Sequence, residues 1–251
     1  MKVIIIAAGA ATRLGEYAKD LPKGLLKING KSIIDVQIDL FKKKQLSDIT
    51  IITGPNKQKF QFKDVKYIQD NEFQNHDVLG SLMTAGSIMN DEVLTSYSDI
   101  IFDKNILQSM LDFQGDIGIG IDLNWEKNYV NRKQHPKSEA DNVLIENNQI
   151  LKIKKNIIKK DSKHSLGEFI GLMKLSGKGT KIFDEKFNQL MKSHEGKFHD
   201  APSVQEAYLT DMIQELIDSG FLVEPVIING NWYEIDTLED LERVRKNITK
   251  Y

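Results

Sequence analysis

Hydrophobic and polar positions along the chain alternate between two periods. The stretch "KVIIIAAG" at the start is apolar on successive residues, the signature of a strand buried on both faces of a parallel sheet. "SIIDVQIDLFKKKQ" then places Ile33, Ile34, Ile38 and Phe41 on one helical face, with Ser32 as its N-cap. "DITIITG" predicts a second strand closed by Gly54-Pro55, and "VKYIQD" a short third one. "GSLMTAGSIMN" reads as helical, and "VLTSYSDIIF" running into "NILQSMLDF" as another strand–turn–helix step. "DIGIGID" and "NVLIENNQILKIKKN" are strand-like, the second a hairpin turning at Asn147-Asn148. Further on come "EFIGLMKLS", a helical "AYLTDMIQELIDSG", "LVEPVIINGNWYEIDT" and a last helix "LEDLERVRKNI". A βαβαβ opening predicts an α/β fold with a doubly wound, mostly parallel, Rossmann-like sheet flanked by helices. Ligands of such sheets lie at the carboxyl ends of the strands.

The pattern breaks from about Asn124 to Ser165. "NWEKNYVNRKQHPKSEADN" is polar, contains Pro136, and is longer than an ordinary connection. With Trp125 and Tyr129 in it, the segment 124–142 is expected to be a lid or acceptor-binding insertion within one domain spanning 1–251. Neither internal repeats nor low-complexity runs interrupt the chain.

Composition narrows the function classes. Lys+Arg (34) nearly balances Asp+Glu (36), so no global basic field points to nucleic acid. The absence of cysteine removes disulfides, thiolate metal sites and a Cys nucleophile. No apolar run approaches the roughly 18–20 residues of a membrane span, and Val3 to Ala8 is too short for a signal-peptide core. The expectation is a cytoplasmic protein that binds neither membrane nor nucleic acid, with a homodimer as a possible assembly.

Two nucleotide fingerprints fail here. G-x-G-x-x-G requires glycine where Ala11 stands, and a Walker loop ending in Gly30-Lys31-Ser32 has one residue too many after Gly24. Asn29-Gly30 is better read as a β-turn. What remains is "AAGAATR" at the end of the first strand, followed by "LPKGLL". Small residues let backbone N–H groups approach an anion, and Arg13 and Lys23 would add two full charges, although such residues are also ordinary surface charges. Asp99 in "YSDI" and Asp236 in "EIDT" stand at strand ends far apart in sequence. They are candidates to converge on a hard cation such as Mg²⁺, or simply to cap the helices that follow.

Taken together, these pieces resemble the nucleotidyltransferase family of sugar-phosphate and phosphocholine nucleotidyltransferases. Its opening pattern matches Ala7-Ala8-Gly9, Arg13 and Pro22-Lys23, and its metal positions match Asp99 and Asp236. "YSDI", "HPKSEADN", "GEFIG" and "YLTDMIQELID" are similar to the CTP-dependent cytidylyltransferases of phosphonate, phosphocholine and capsule-phosphoramidate pathways. The resemblance implies transfer of CMP from CTP to a small phosphorylated or phosphonylated acceptor (phosphocholine, aminoethylphosphonate or phosphoglutamine type). It also implies release of pyrophosphate and Mg²⁺ as the cofactor. It implies nucleotide contacts at Ala7, Ala8, Gly9, Ala10, Asn75, Gly80 and Ser81, and a phosphate contact at Lys155.

An anionic nucleophile needs no general base, which fits the lack of a catalytic motif around any of the five histidines. For the acceptor, Trp125, Tyr129, Trp232 and Tyr233 are candidates for an aromatic wall around an ammonium, with Glu168 and Glu234 as counter-charges. Arg132, Lys133 and His135 are candidates for an acceptor phosphate. Trp232 and Tyr233 read equally well as core. Three rivals stand beside this reading: a sugar-1-phosphate nucleotidyltransferase, a non-catalytic nucleotide sensor of the same fold, and an NAD-binding protein weakened by the failed glycine pattern.

Overall fold

The computed structural model describes residues 1–9, 21–159 and 161–248. In chain order the elements are β1 (Lys2–Ala7), β2 (Lys27–Ile28), β3 (Lys31–Ser32), α1 (Ile33–Lys43), β4 (Ile49–Thr53), β5 (Lys66–Gln69), α2 (Val78–Met83), β6 (Val93–Tyr97), β7 (Ile100–Phe102) and α3 (Lys104–Asp112). They continue with β8 (Ile117–Asp122), β9 (Asp141–Glu146), β10 (Gln149–Lys155), β11 (Ser165–Leu175), α4 (Gly177–Ser193), α5 (Leu209–Asp218), β12 (Glu224–Ile227), β13 (Trp232–Glu234) and α6 (Leu238–Asn247).

β1 occupies the middle of the main sheet because from Val3 to Ala7 nothing along it is polar enough to need water. Ile4, Ile6 and Ala8 point into one core with α2, α4 and α5, while Val3, Ile5 and Ala7 point into a second with α1 and α3. The period of two in the strand thus divides its side chains between the two layers of helices. β1 pairs in parallel with β4 and β6, and β4 in parallel with β5. The sheet runs β10-β9-β11-β6-β1-β4-β5, with β8 on β11 and β12 parallel to β8. This is the doubly wound α/β arrangement expected from the βαβαβ opening. Antiparallel pairing enters through the long β11, which contacts β6, β8 and β9. β11 shifts register against β8 between Phe169 and Met173, and Gly171 sits there at φ +80°. A Cβ on Gly171 would lie 2.5 Å from the Tyr97 ring, so only glycine fits.

Local chemistry explains the turns and caps. Asn29 and Gly30 both have positive φ between β2 and β3, as do Asn147 and Asn148 between β9 and β10. Both are the two-residue hairpin geometry that asparagine and glycine favour. Ser32 caps α1 by accepting from the Asp35 N–H, and Asp35 bonds back to Ser32. α4 has no counterpart in the periodicity reading: two glycines in its first turn, Gly177 and Gly179, disguise its start. Its apolar face, Phe183 and Leu190, is nonetheless buried.

The segment 124–142 is anchored at a few buried side chains, while most of its residues are exposed. Trp125 and Tyr129 are buried in a small core of their own with Ala140 and Leu166, ring edge to ring face. Among the described residues no helix is long and apolar enough to cross a membrane.

Candidate active site

Sheet topology builds the site at the carboxyl end of β1. After β6 the chain turns a corner at Ser98-Asp99, with Ser98 N–H donating to the Ile6 carbonyl, and leaves the main sheet. β7 then pairs with β13, Glu234 opposite Ile100, and the ladder ends with Ile235 N–H donating to the Asp99 carbonyl. This single pairing brings two carboxylates 137 residues apart in sequence (236 minus 99) to one place. Neither acts as a helix cap. Asp103 caps α3, and Thr237 with Asp240 forms the capping box of α6.

Lys23, in a single 3₁₀ turn after Pro22, bridges the pair. Its Nζ is 3.3 Å from Asp99 Oδ2 and bonded to Asp236 Oδ1. Burial works against the ammonium, but Asp99 and Asp236 outweigh it and hold the Lys23 pKa above the ordinary lysine value. Burial pushes the Asp99 carboxyl up, with Lys23 opposing and Glu234 and Asp236 adding repulsion. The donor set fits a hard divalent cation. Two carboxylates from different strands already meet on one cationic atom, in the sparse protein coordination that Mg²⁺ takes when phosphate oxygens fill the rest. Among the described residues no cluster of three or more acidic, His or Cys side chains could hold a metal by itself.

A cavity of about 900 Å³ opens over this pair. Ala7, Ala8, Gly9, Lys23, Asp99 and Asp236 line it, together with Ser81 and His76. Ser81 Oγ donates to Asp70 Oδ2 (2.8 Å), and His76 Nε2 lies 3.0 Å from Asp70 Oδ1, so a buried aspartate fixes both groups. Gly80 and Asn75 are not among the lining residues. A Cβ at Gly80 would collide with the His76 ring, and the Asn75 amide donates to Glu72. Arg13 and Ala10 lie outside the described residues.

Asp77, Glu139, Asp141, Asp200 and Asp211 also line the cavity, with Lys154, Lys155 and Tyr208, and Lys154 Nζ lies 3.8 Å from Asp200 Oδ1. Lys155 Nζ is 2.8 Å from Glu139 Oε2. Asp211 accepts from the backbone N–H groups of Asp200 and Tyr208, which turns that loop towards the cavity. Burial raises the Asp77 and Asp211 carboxyls, and raises Asp141 to about 7 against the pull of Lys155. Periodicity does not reveal these carboxylates. Their sequence signals are "HPKSEADN", which holds Glu139 and Asp141, and "YLTD", whose Tyr208 and Asp211 sit at a helix start.

The expected aromatic wall does not line this cavity. Trp125, Tyr129, Arg132, Glu168 and Trp232 are absent from the described cavity lining. Trp125 Nε1 donates to the Leu166 carbonyl, Tyr129 Oη donates to Glu168, and Trp232 Nε1 donates to Asp122. Each ring is consumed by packing and one hydrogen bond, which is how amphipathic aromatics are accommodated in a core. Glu168, buried beneath them, has its carboxyl pushed well above the usual range by burial, then by Glu234. Its Oε1 accepts from Tyr129, and the side chain does not line the cavity. Arg132 is committed to Asp240 and Glu234, and Lys133 N–H to Glu239. Of the proposed phosphate group only His135 reaches the cavity, and its Nδ1 is 3.0 Å from Asp236 Oδ2.

Residues 3–119 match the MobA-like NTP transferase domain. The chain is 26% identical over 253 residues to a CTP:phosphoglutamine cytidylyltransferase of Campylobacter jejuni, covering 96% of this chain and 98% of that protein. It is 32% identical over 118 residues to a choline-phosphate cytidylyltransferase of Streptococcus pneumoniae, covering 44% of this chain and half of that protein. Its fold superposes on a putative glucose-1-phosphate thymidylyltransferase of Bacillus anthracis with a TM-score of 0.72 at 18% identity, covering 100% of this chain and 97% of the other.

Proposed function

This chain belongs to the nucleotidyltransferase family, and from that premise we infer that it is a cytidylyltransferase whose acceptor carries both a phosphate or phosphonate and an ammonium group. The observation that carries the reading is the polarity of one cavity. The same cavity is lined by a small-residue strand end with Lys23, Asp99 and Asp236 and by a further set of carboxylates, Asp77, Asp141 and Asp211 among them. The similarity along nearly the full length of the Campylobacter jejuni cytidylyltransferase supports CTP as donor.

The reaction forms a bond from an acceptor oxygen to the α-phosphorus of CTP and breaks the α–β bridge, releasing pyrophosphate. The acceptor oxygen is already anionic near neutral pH, so no proton has to be removed; the barrier is repulsion between two anions. The chain's own residues meet it in three ways. Ala7, Ala8 and Gly9 offer a close backbone approach to phosphate oxygens, and among the described residues nothing lies within 4 Å of where a Cβ on Gly9 would stand. Lys23 supplies positive charge beside the reacting phosphate. Asp99 and Asp236 would hold Mg²⁺, which supplies Lewis-acid neutralisation of the α-phosphate. Asp141, Asp200 and Asp211 hold the acceptor's ammonium, and Tyr208 offers it an aromatic face.

Pyrophosphate release with each of four NTPs and Mg²⁺ tests this. The acceptors are phosphocholine, aminoethylphosphonate, phosphoglutamine and a sugar 1-phosphate. Turnover is expected with CTP and an ammonium-bearing acceptor, and is expected to be lost in a folded Asp99→Asn variant. Preference for UTP with the sugar phosphate would replace this reading with the sugar-1-phosphate one. Absence of pyrophosphate release in every combination would leave a nucleotide-sensing protein.

A further inference from the structure

The buried polar network behind Asp236 is not explained by nucleotide or acceptor contacts. Arg132 and His135 are three residues apart on the segment 124–142, and both aim at the start of α6. Arg132 forks onto Asp240, Nε to Oδ1 at 2.6 Å and Nη2 to Oδ2 at 2.9 Å. Asp240 Oδ2 in turn accepts from the backbone N–H groups of Asp236 and Thr237. The backbone of Asp236 is therefore fixed through Asp240. Its side chain is fixed separately: His135 Nδ1 lies 3.0 Å from Oδ2, while Oδ1 is the oxygen that meets the Lys23 ammonium. A carboxylate can only accept, so the imidazole donates this bond. The His135 and Asp236 side chains are 5% and 4% exposed, so water is a poor substitute for that donor.

We propose that His135 is a positioning residue for metal binding: by engaging Oδ2 it leaves Asp236 one oxygen, Oδ1, to present to the cation shared with Asp99. This rests on the metal role given to Asp99 and Asp236 in the proposed function. It reassigns His135 from acceptor phosphate to the carboxylate behind the cation. Outer partners that orient a ligand commonly change metal affinity by about 10–100-fold when removed. The asymmetry has a physical reason. An unrestrained carboxylate rotates about χ2, and its second oxygen competes for Lys23 or for the cation itself.

The test is Mn²⁺ binding to the nucleotide-free protein, with free Mn²⁺ counted by electron paramagnetic resonance, in wild type, Asp236→Asn, His135→Ala and His135→Asn. Each variant is first shown to melt cooperatively. Asp236→Asn is expected to weaken binding strongly, and His135→Ala by about 10–100-fold. His135→Asn, whose amide places a donor near the Nδ1 position, is expected to restore affinity towards wild type. A merely structural histidine would give no such split between two truncations that both remove the ring. If Asp236→Asn weakens Mn²⁺ binding while His135→Ala binds as wild type does, or if His135→Asn is as weak as His135→Ala, the positioning role is overturned and the metal assignment stands. If Asp236→Asn itself leaves Mn²⁺ binding unchanged, the metal assignment fails and this inference with it.

Discussion

Replacing Arg132 with methionine should destabilise the protein strongly, although Arg132 belongs to a segment that reads as a loop in the sequence. The pair it forms is buried: the Arg132 side chain is 2% exposed and that of Asp240 fully covered. Removing one partner of such a pair typically costs about 3–5 kcal/mol, because the other charge is left without solvent or counter-ion. Two features favour the lower value. Asp240 Oδ2 keeps its bonds from the Thr237 N–H and Oγ1, and Arg243 Nη2 stands 3.5 Å from Oδ1. A cost of about 3 kcal/mol corresponds to a fall in Tm of roughly 6–12 °C for a domain of this size. The pH dependence has a definite sign. Burial opposes the Asp240 charge, but Arg132 more than offsets it and holds the carboxyl below its ordinary value. A depressed carboxyl contributes stability above its unfolded value, about 3.9, and loses that contribution as pH falls towards the folded one. The gap between wild type and Arg132→Met should therefore be full at pH 7 and narrow below about pH 4. Urea unfolding at pH 7 and pH 3 measures it, and adding Asp240→Asn to Arg132→Met should recover part of the loss. A Tm within about 2 °C of wild type at pH 7, or a gap that does not narrow in acid, would refute the reasoning.

Three further outcomes follow from the same geometry. Lys23→Ala should cut turnover by about 10²–10³-fold, as removal of an electrostatic contact to the reacting phosphate does. It should also tighten Mn²⁺ binding to the nucleotide-free protein, because the ammonium competes for Asp99 and Asp236; weaker binding, read by paramagnetic resonance, would contradict the shared position. The KM for an ammonium-bearing acceptor should fall as pH rises from 6 to 8, since the Asp141 carboxyl, held at about 7, gains its charge across that range. Asp141→Asn should raise this KM about tenfold or more at pH 8 and flatten its pH profile, as the loss of a hydrogen bond to a charged group would; an unchanged profile removes Asp141 from the acceptor site. Trp125→Ala should cost about 3–5 kcal/mol in unfolding free energy and leave the acceptor KM unmoved in the cold, whereas a raised KM with normal stability would return Trp125 to the acceptor wall.

Local signals were legible in the sequence wherever a residue's role is settled by its near neighbours. Ser32 with Asp35, Asn29 with Gly30, and Asn147 with Asn148 each fix a cap or turn within four residues. Ile34, Ile38 and Phe41 show the buried face of α1 by spacing alone. The misassigned side chains are those whose partners arrive from far away. Tyr129 looks available for a ligand until Glu168, 39 residues on, accepts its hydroxyl; Arg132 looks like a phosphate contact until Asp240, 108 residues on, takes its fork. A polar setting in sequence says little about a polar setting in space when the segment folds back onto a helix start. α4 failed for the opposite reason: the local signal exists, but Gly177 and Gly179 mimic a loop.

Asp99 and Asp236 show how the two kinds of information combine. Each lies near the start of a helix, where an aspartate is commonly used to satisfy free N–H groups. In both cases a later residue does that work, Asp103 for α3 and the Thr237–Asp240 box for α6. A carboxylate that is withdrawn from solvent and does not cap a helix still has to be compensated by some positive charge. Lys23 provides it from a third element, and the price of that arrangement is a lysine whose ammonium is held between two acids beside a cavity rather than free in water. On the proposed function, an incoming cation would compete for the same oxygens, and an incoming phosphate for the same ammonium. Binding either one would weaken the hold on the other's partner, so nucleotide and metal should favour each other's entry at this point. The resting ion pair and the loaded site of that proposal would then be alternatives built from the same atoms.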